Sequence, residues 1–280
     1  MTAPGVPGDA SSDWSVVAAA DGVTLRSRGT GRPLVVLPGM EGDGSSCLHV
    51  VLPLWQDLQR SGADGGRMGP VWPGLGRIVL VDYAAERHPT LAGLEATVGR
   101  LLREVVDEPA VVWGQSFGCL LAAGIARMLS TDRLVLVSPF TDLPTSRDVA
   151  AVLMGRTPRP LYRATAAPVG RWVFGPARRP EGAAFLAALR DADPADVSRR
   201  AGWLRGRDHR ARFEGLVDER TAVWFGVRDR LVDLARQVEV FTGLDRSGVG
   251  PGLVPYAGHV ALAPASVAFL QIRVAAWLTA

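Results

Sequence analysis

Lysine is missing from this chain: all 31 of its basic residues are arginine. They are interspersed with 28 acidic residues and the formal net charge is only +3, so there is no global basic field and no nucleic-acid partner is expected. Cysteine is nearly absent as well. Cys47 and Cys119 are alone, without metal-ligand spacing, which excludes a disulfide framework and a thiolate metal site; both read as reduced packing residues. No apolar run reaches the roughly 18 residues that a membrane span needs. Residues 1–13 are small, polar and proline-containing, with neither the basic start nor the apolar stretch of a signal peptide, and are expected to be a disordered leader. A cytoplasmic protein without membrane contact is the default. Histidine is also scarce, with four in the chain, which narrows any search for a proton-transferring group.

What is present is a large apolar fraction, 48% against 21% charged, over 280 residues, enough to bury a sizeable core. Short apolar runs recur and each stops at turn or polar residues. Leu34–Leu37 stops at Pro38-Gly39, Ile78–Val81 at Asp82-Tyr83, Ala110–Trp113 at Gly114, Leu134–Val137 at Ser138-Pro139, and Ala222–Phe225 at Gly226. Apolar throughout, they read as strands covered on both faces. Helical stripes lie between them: Leu91, Leu94, Val98, Leu101, Leu102 and Val105 behind a capping Thr90, then Phe117, Leu120, Leu121, Ile125 and Met128. Pro264 opens a last helix with Val267, Leu270, Val274, Trp277 and Leu278 inward. Trp14–Ala19 and Thr24–Arg28 suit a hairpin around Asp21-Gly22, made of edge strands. The alternation predicts an α/β fold with a mostly parallel sheet between helical layers, and ligands then sit beyond the carboxyl ends of the strands. Ser61–Gly76, with six glycines and two prolines, reads as a mobile surface loop. From residue 141 to 220 the strand signal vanishes and proline-punctuated helical patches remain, the pattern of a helical insertion or lid.

The chemistry concentrates at Gly114-Gln115-Ser116-Phe117-Gly118, where a strand runs through Gly-x-Ser-x-Gly straight into a helix. That context makes Ser116 the candidate nucleophile, and side chains at 114 and 118 would collide with the neighbouring strand and helix. A serine hydroxyl is a poor nucleophile until a base takes its proton. His49 falls in the first helical region, His88 just after a strand and His209 in an arginine-rich stretch, all ordinary packing or surface positions. His259 follows the short extended segment Leu253–Pro255 and precedes the last helix, so it can reach across the strand ends as the general base. Asp229, just past the strand at Ala222, is the favoured acid; Asp233 and Asp142 remain competitors. Backbone N–H groups of Met40 and Phe117 are the expected oxyanion donors. The glycine-rich turn at 39–44 lacks the spacing and the lysine of a phosphate-binding P-loop.

In this order, Leu37-Pro38-Gly39-Met40-Glu41-Gly42-Asp43-Gly44, Val81-Asp82-Tyr83 and Gln115-Ser116-Phe117-Gly118 resemble the α/β-hydrolase superfamily from Trp14 to Leu278. More narrowly they resemble a bacterial branch with Pro-Gly-Met-Asp-Gly-Thr-Gly-type oxyanion loops. Pro38, Gln115 and Cys119 stand where better-known relatives carry His, His and Gly. The resemblance implies a hydrolase core over 14–140 and 221–280, with a lid over 141–220 inserted after the sixth strand. It further implies a serine hydrolase without cofactor or metal, acting through Ser116, His259 and Asp229 on an ester or thioester of a small or medium acyl group. Met40, Phe117, Glu41 and Trp172 are the expected substrate contacts. Ten arginines against five acidic residues between Arg171 and Arg212 suit an acidic group or a carrier-protein-bound substrate, or are simply a solvated face. A lyase, cyclase or acyltransferase of natural-product biosynthesis on the same fold, and a non-catalytic ligand-binding relative, are the alternatives. The oligomeric state stays open.

Overall fold

A computed structural model describes residues 14–63, 75–144, 157–174 and 180–278. The leader, most of the glycine-rich loop, and Leu153 and Met154 of the insertion lie outside the described residues. In chain order come β1 (Ser15–Ala20), β2 (Val23–Gly29), β3 (Arg32–Leu37), α1 (Leu48–Ala63), β4 (Leu75–Tyr83), α2 (Leu91–Val105), β5 (Ala110–Gln115), α3 (Gly118–Met128) and β6 (Thr131–Val137). Then follow α4 (Arg159–Phe174), α5 (Pro180–Asp191), α6 (Pro194–Leu204), β7 (Thr221–Gly226), α7 (Leu234–Leu244), β8 (Gly252–Val254) and α8 (Pro264–Leu278).

The strands form one sheet in the order β1-β2-β4-β3-β5-β6-β7-β8. From β4 through β8 every neighbouring pair is parallel, and β1 and β2 join by antiparallel pairing. Period-two geometry splits each apolar run between two cores. Val35, Leu37, Val79, Val81, Val112, Leu134, Leu136, Val223 and Phe225 pack with α2, α3 and α7; Leu34, Val36, Ile78, Leu80, Val111, Trp113, Val135 and Val137 pack with α1 and α8. Continuous apolar strands are thus what two helical layers demand. Phe225, fully covered and edge-on to Phe241 at 5.7 Å, is one such anchor; truncating a core Phe costs about 3–5 kcal/mol. Both thiols, Cys47 and Cys119, are free and buried, and burial pushes each up in pKa, which leaves them inert.

Local signals behave as their chemistry requires. Asp21 (φ 49°) and Gly22 (φ 75°) are both left-handed, the two-residue turn that matches strand twist. Thr90 Oγ1 accepts the Gly93 N–H at 3.1 Å and caps α2. Two expectations need correction. β2 is not an edge strand, since it pairs with β4 as well as β1. The strands also run past their apolar stretches, because ladder pairing continues wherever a polar side chain finds a partner: Arg77 of β4 donates to Ser27 Oγ (2.8 Å) and to the Val105 carbonyl (2.8 Å). Both ends of the Ser61–Gly76 stretch belong to regular elements, as α1 extends to Ala63 and β4 starts at Leu75. Among the described residues no helix is long and apolar enough to cross a membrane.

His88 and His209 are buried, and the Nε2 of each is without a hydrogen-bond partner among the described residues. Burial, reinforced at His209 by Arg212 and Arg207, holds both below the ordinary histidine value of 6.5. Below that value the unfolded chain takes up protons that the folded chain refuses, so stability present above it is lost as pH falls. Thermal melts between about pH 7 and pH 5 are expected to show a falling Tm, with a shallower slope in His88→Gln/His209→Gln.

Candidate active site

β5 ends at Gln115 and α3 begins at Gly118, leaving Ser116 to make the whole turn at φ 55°. A non-glycine residue held left-handed costs of order 1 kcal/mol and persists only where its surroundings over-determine it. Here they do. Ser116 N–H donates to the Val137 carbonyl at the end of β6 (2.9 Å), and the Ser116 carbonyl accepts from Cys119 N–H (2.9 Å). The two glycines are sterically required: a Cβ at Gly114 would lie 2.7 Å from Ala122 Cβ, and one at Gly118 would lie 2.2 Å from the Leu37 carbonyl oxygen and 2.3 Å from that of Pro38.

A second close approach brings in the histidine. At Gly226, the last residue of β7, a Cβ would lie 1.9 Å from the Gly258 carbonyl oxygen, so only glycine lets the 256–259 loop settle there. Arg228 N–H then binds the Ala257 carbonyl (2.8 Å) and fixes the loop. His259 Nε2 lies 2.7 Å from Ser116 Oγ, and its Nδ1 lies 2.7 Å from Asp229 Oδ2. The other carboxylate oxygen, Oδ1, accepts the backbone N–H groups of Leu231 (2.8 Å) and Val232 (3.3 Å). Because the Asp229 carboxylate can only accept, Nδ1 carries the proton and Nε2 presents its lone pair to the serine hydroxyl, which can donate. His259 and the Asp229 side chain are fully buried, and Ser116 is 6% exposed.

The competing acids are engaged elsewhere. Asp233 caps α7 by accepting Arg236 N–H (3.2 Å), while Asp142 accepts from Gln237 Nε2 (2.8 Å) and pairs with Arg236 (3.0 Å). The other histidines also lie apart: His49 sits between the carbonyls of Ser46 (2.8 Å) and Ala261 (3.0 Å), and His209 N–H meets Thr141 O (2.7 Å).

The turn after β3 is held almost group by group. Gly39 N–H donates to Glu41 Oε1 (3.0 Å), Gly42 N–H to Gly39 O (3.2 Å), Gly44 N–H to Asp82 Oδ1 (2.8 Å) and Ser45 N–H to Asp43 Oδ1 (2.8 Å). Glu41 also accepts the Ser46 hydroxyl, so its carboxylate braces its own loop rather than standing out toward a ligand. Burial raises its pKa. Met40 N–H and Phe117 N–H have no acceptor among the described residues. The Phe117 ring is completely covered, between Tyr83 (6.1 Å) and Trp203 (6.3 Å), whereas Met40 is partly buried.

Of the helices described between β6 and β7, α5 and α6 bear on these loops. Arg200 of α6 is buried, donates to the Tyr83 carbonyl (3.1 Å) and stacks over the Tyr83 ring at 5.5 Å. Trp203 Nε1 donates to Pro89 O (3.1 Å), and Phe185 of α5 clusters with Val260 and Leu262 just after His259. Arg200 carried no sequence signal, since a buried arginine looks like any other in a run of arginines, and Tyr83 stood out only as part of Val81-Asp82-Tyr83, without any sign of these contacts. Trp172 falls within α4, but its side chain lies outside the described residues. A hollow of about 780 Å³ lined by Trp224, Phe269, Arg273 and Trp277 opens near the starts of β7 and β8 and touches none of Ser116, His259 and Asp229. No grouping of metal-ligating side chains occurs among the described residues.

No family model and no curated protein matches the chain. Solved structures do. An esterase from Exiguobacterium antarcticum aligns with a TM-score of 0.69 at 15% identity, covering 96% of this chain and 99% of the other. The enol-lactonase from Burkholderia xenovorans LB400 aligns at 0.69 and 20% identity over 94% and 99%. An N-acyl homoserine lactonase complexed with N-hexanoyl homoserine aligns at 0.65 and 17% over 94% and 95%. At these identities the likeness establishes the fold, which is the α/β-hydrolase fold.

Gly118→Ala tests the elbow without touching a polar group. Displacing the Leu37 and Pro38 carbonyls is expected to cost about 1–3 kcal/mol of unfolding free energy, measured in urea, together with a fall in whatever turnover Ser116 supports.

Proposed function

We propose that this chain is a serine hydrolase that cleaves an ester, a lactone or a thioester of a small or medium acyl group through an acyl-enzyme. The observation that carries the reading is the unbroken chain of contacts at 2.7 Å from Ser116 Oγ through His259 to Asp229 Oδ2, in a site closed to bulk water. Ser116 attacks the acyl carbonyl while His259 Nε2 takes its proton, and Asp229 stabilises the imidazolium and holds the tautomer. The oxyanion of the tetrahedral intermediate is received by Met40 N–H and Phe117 N–H, neither of which has an acceptor among the described residues. His259 returns the proton to the leaving oxygen or sulfur. A water molecule, deprotonated by the same imidazole, then releases the acid.

The segment 141–220 acts as a lid in this reading. What supports it is that Arg200, Trp203 and Phe185 seat it on the end of β4 and on the loops after β4 and β8, and that Ser116 is almost completely covered. Lactones are included because the solved structures with this fold and matching length include two lactonases. The motif resemblance to the bacterial branch with a Pro-Gly-Met-Asp-Gly-Thr-Gly-type loop rests on residues 37–44. Here Glu41 takes the place of the aspartate and closes the turn on itself.

A fluorophosphonate probe followed by peptide mass spectrometry is the test. Ser116 is expected to be labelled in the wild type and in no measurable amount in His259→Ala. Turnover of a short aryl ester is expected to fall on the order of 10⁴-fold in Asp229→Asn. An unlabelled protein that still converts a substrate would instead place this chain among fold relatives that work without an acyl-enzyme.

A further inference from the structure

Tyr83 ends β4, and nothing in the proposed mechanism uses it, yet it makes more contacts to the turn after β3 than any other residue named above. Its N–H donates to the Gly42 carbonyl (2.8 Å). Its hydroxyl, with one proton to give, sits 2.5 Å from Pro38 O and 2.8 Å from Gly39 O. Its carbonyl accepts from Arg200, whose guanidinium also covers its ring. The ring packs against Phe117. Burial raises the phenol well above its ordinary pKa, so it remains a donor.

The geometry points to Tyr83 as the positioning residue of the oxyanion hole, its hydroxyl fixing the peptide plane that carries Met40 N–H. The inference rests on the hydrolase reading of Ser116. Gly39 C=O and Met40 N–H belong to the same planar peptide, and in a trans peptide the two bonds point in opposite directions. The Tyr83 hydroxyl on the Gly39 carbonyl, together with Gly42 N–H on the same oxygen (3.2 Å), therefore turns Met40 N–H to the face away from Tyr83. The preceding peptide is held at both ends too, Pro38 O by a share of the same hydroxyl proton and Gly39 N–H by Glu41 (3.0 Å). Both glycines on either side of Met40 are permissive, Gly42 sitting at φ 74°, so without these bonds the turn has cheap alternatives. A donor fixed in advance is worth far more to a developing oxyanion than one that must reorient.

Tyr83→Phe keeps the ring over Phe117 and under Arg200 and removes only the hydroxyl. The expected result is a fall in kcat of about 10- to 100-fold with KM nearly unchanged, and an equal loss of affinity for an alkyl boronic acid that forms the tetrahedral adduct. Thr221→Val, which deletes a hydroxyl-to-carbonyl bond to Leu216 (2.5 Å) at the opposite end of β7, is the structural control and is expected to keep kcat. The inference is overturned if Tyr83→Phe turns over at the wild-type rate while Ser116→Ala is dead, or if Thr221→Val slows turnover equally at a matched loss of Tm. Activity surviving in Ser116→Ala would instead strike the hydrolase reading itself, and the role of Tyr83 would fall with it.

Discussion

Two places where backbones touch without a side chain between them hold the strand ends together. At Gly118 the first turn of α3 lies against the Leu37 and Pro38 carbonyls; at Gly226 the end of β7 lies against the Ala257 and Gly258 carbonyls. The first contact brings the elbow to the turn after β3, and the second brings the histidine loop to the aspartate loop. A single methyl group at either position would separate segments that are far apart in the chain, and Ser116 and His259 are 143 residues apart. Parallel sheets make such encounters possible because all their carboxyl ends face one way, but only glycine lets the encounter become contact.

Once the segments meet, buried polar groups supply direction. Asp229 is satisfied by two backbone N–H groups and the imidazole, so it has one orientation to offer. The turn after β3 is bound by Glu41, Asp43, Asp82 and Tyr83, while Met40 N–H meets no acceptor among the described residues. Arg200 extends this network into the helices between β6 and β7, which links the seating of that segment to the turn that Tyr83 holds.

Much of this was legible in the residues. Apolar runs ending in turns predicted strands covered on both faces, and the alternation of Val35 and Leu37 with Leu34 and Val36 between two cores is what such runs require. Gly-x-Ser-x-Gly between a strand and a helix identified the turn, and its place in the turn just past β7 favoured Asp229 over Asp233, which caps a helix, and over Asp142, which lies with Arg236. What stayed hidden depended on side-chain direction. Glu41 looked available to a ligand, yet its carboxylate folds back on Gly39; Phe117 looked like a wall of the site, yet its ring is fully covered by neighbours from β4 and α6. Neither outcome has a periodicity to read. Polar ladder partners such as Arg77 and Ser27 hid the true strand ends for the same reason.

The central claim is that Ser116 becomes acylated during turnover. Rapid quenching of the protein with an aryl alkanoate, followed by intact-mass measurement, tests it most directly. The account predicts a species heavier by one acyl group, carried on Ser116 and formed with the first equivalent of released phenol. Steady hydrolysis without that species, and undiminished in Ser116→Ala, would contradict it.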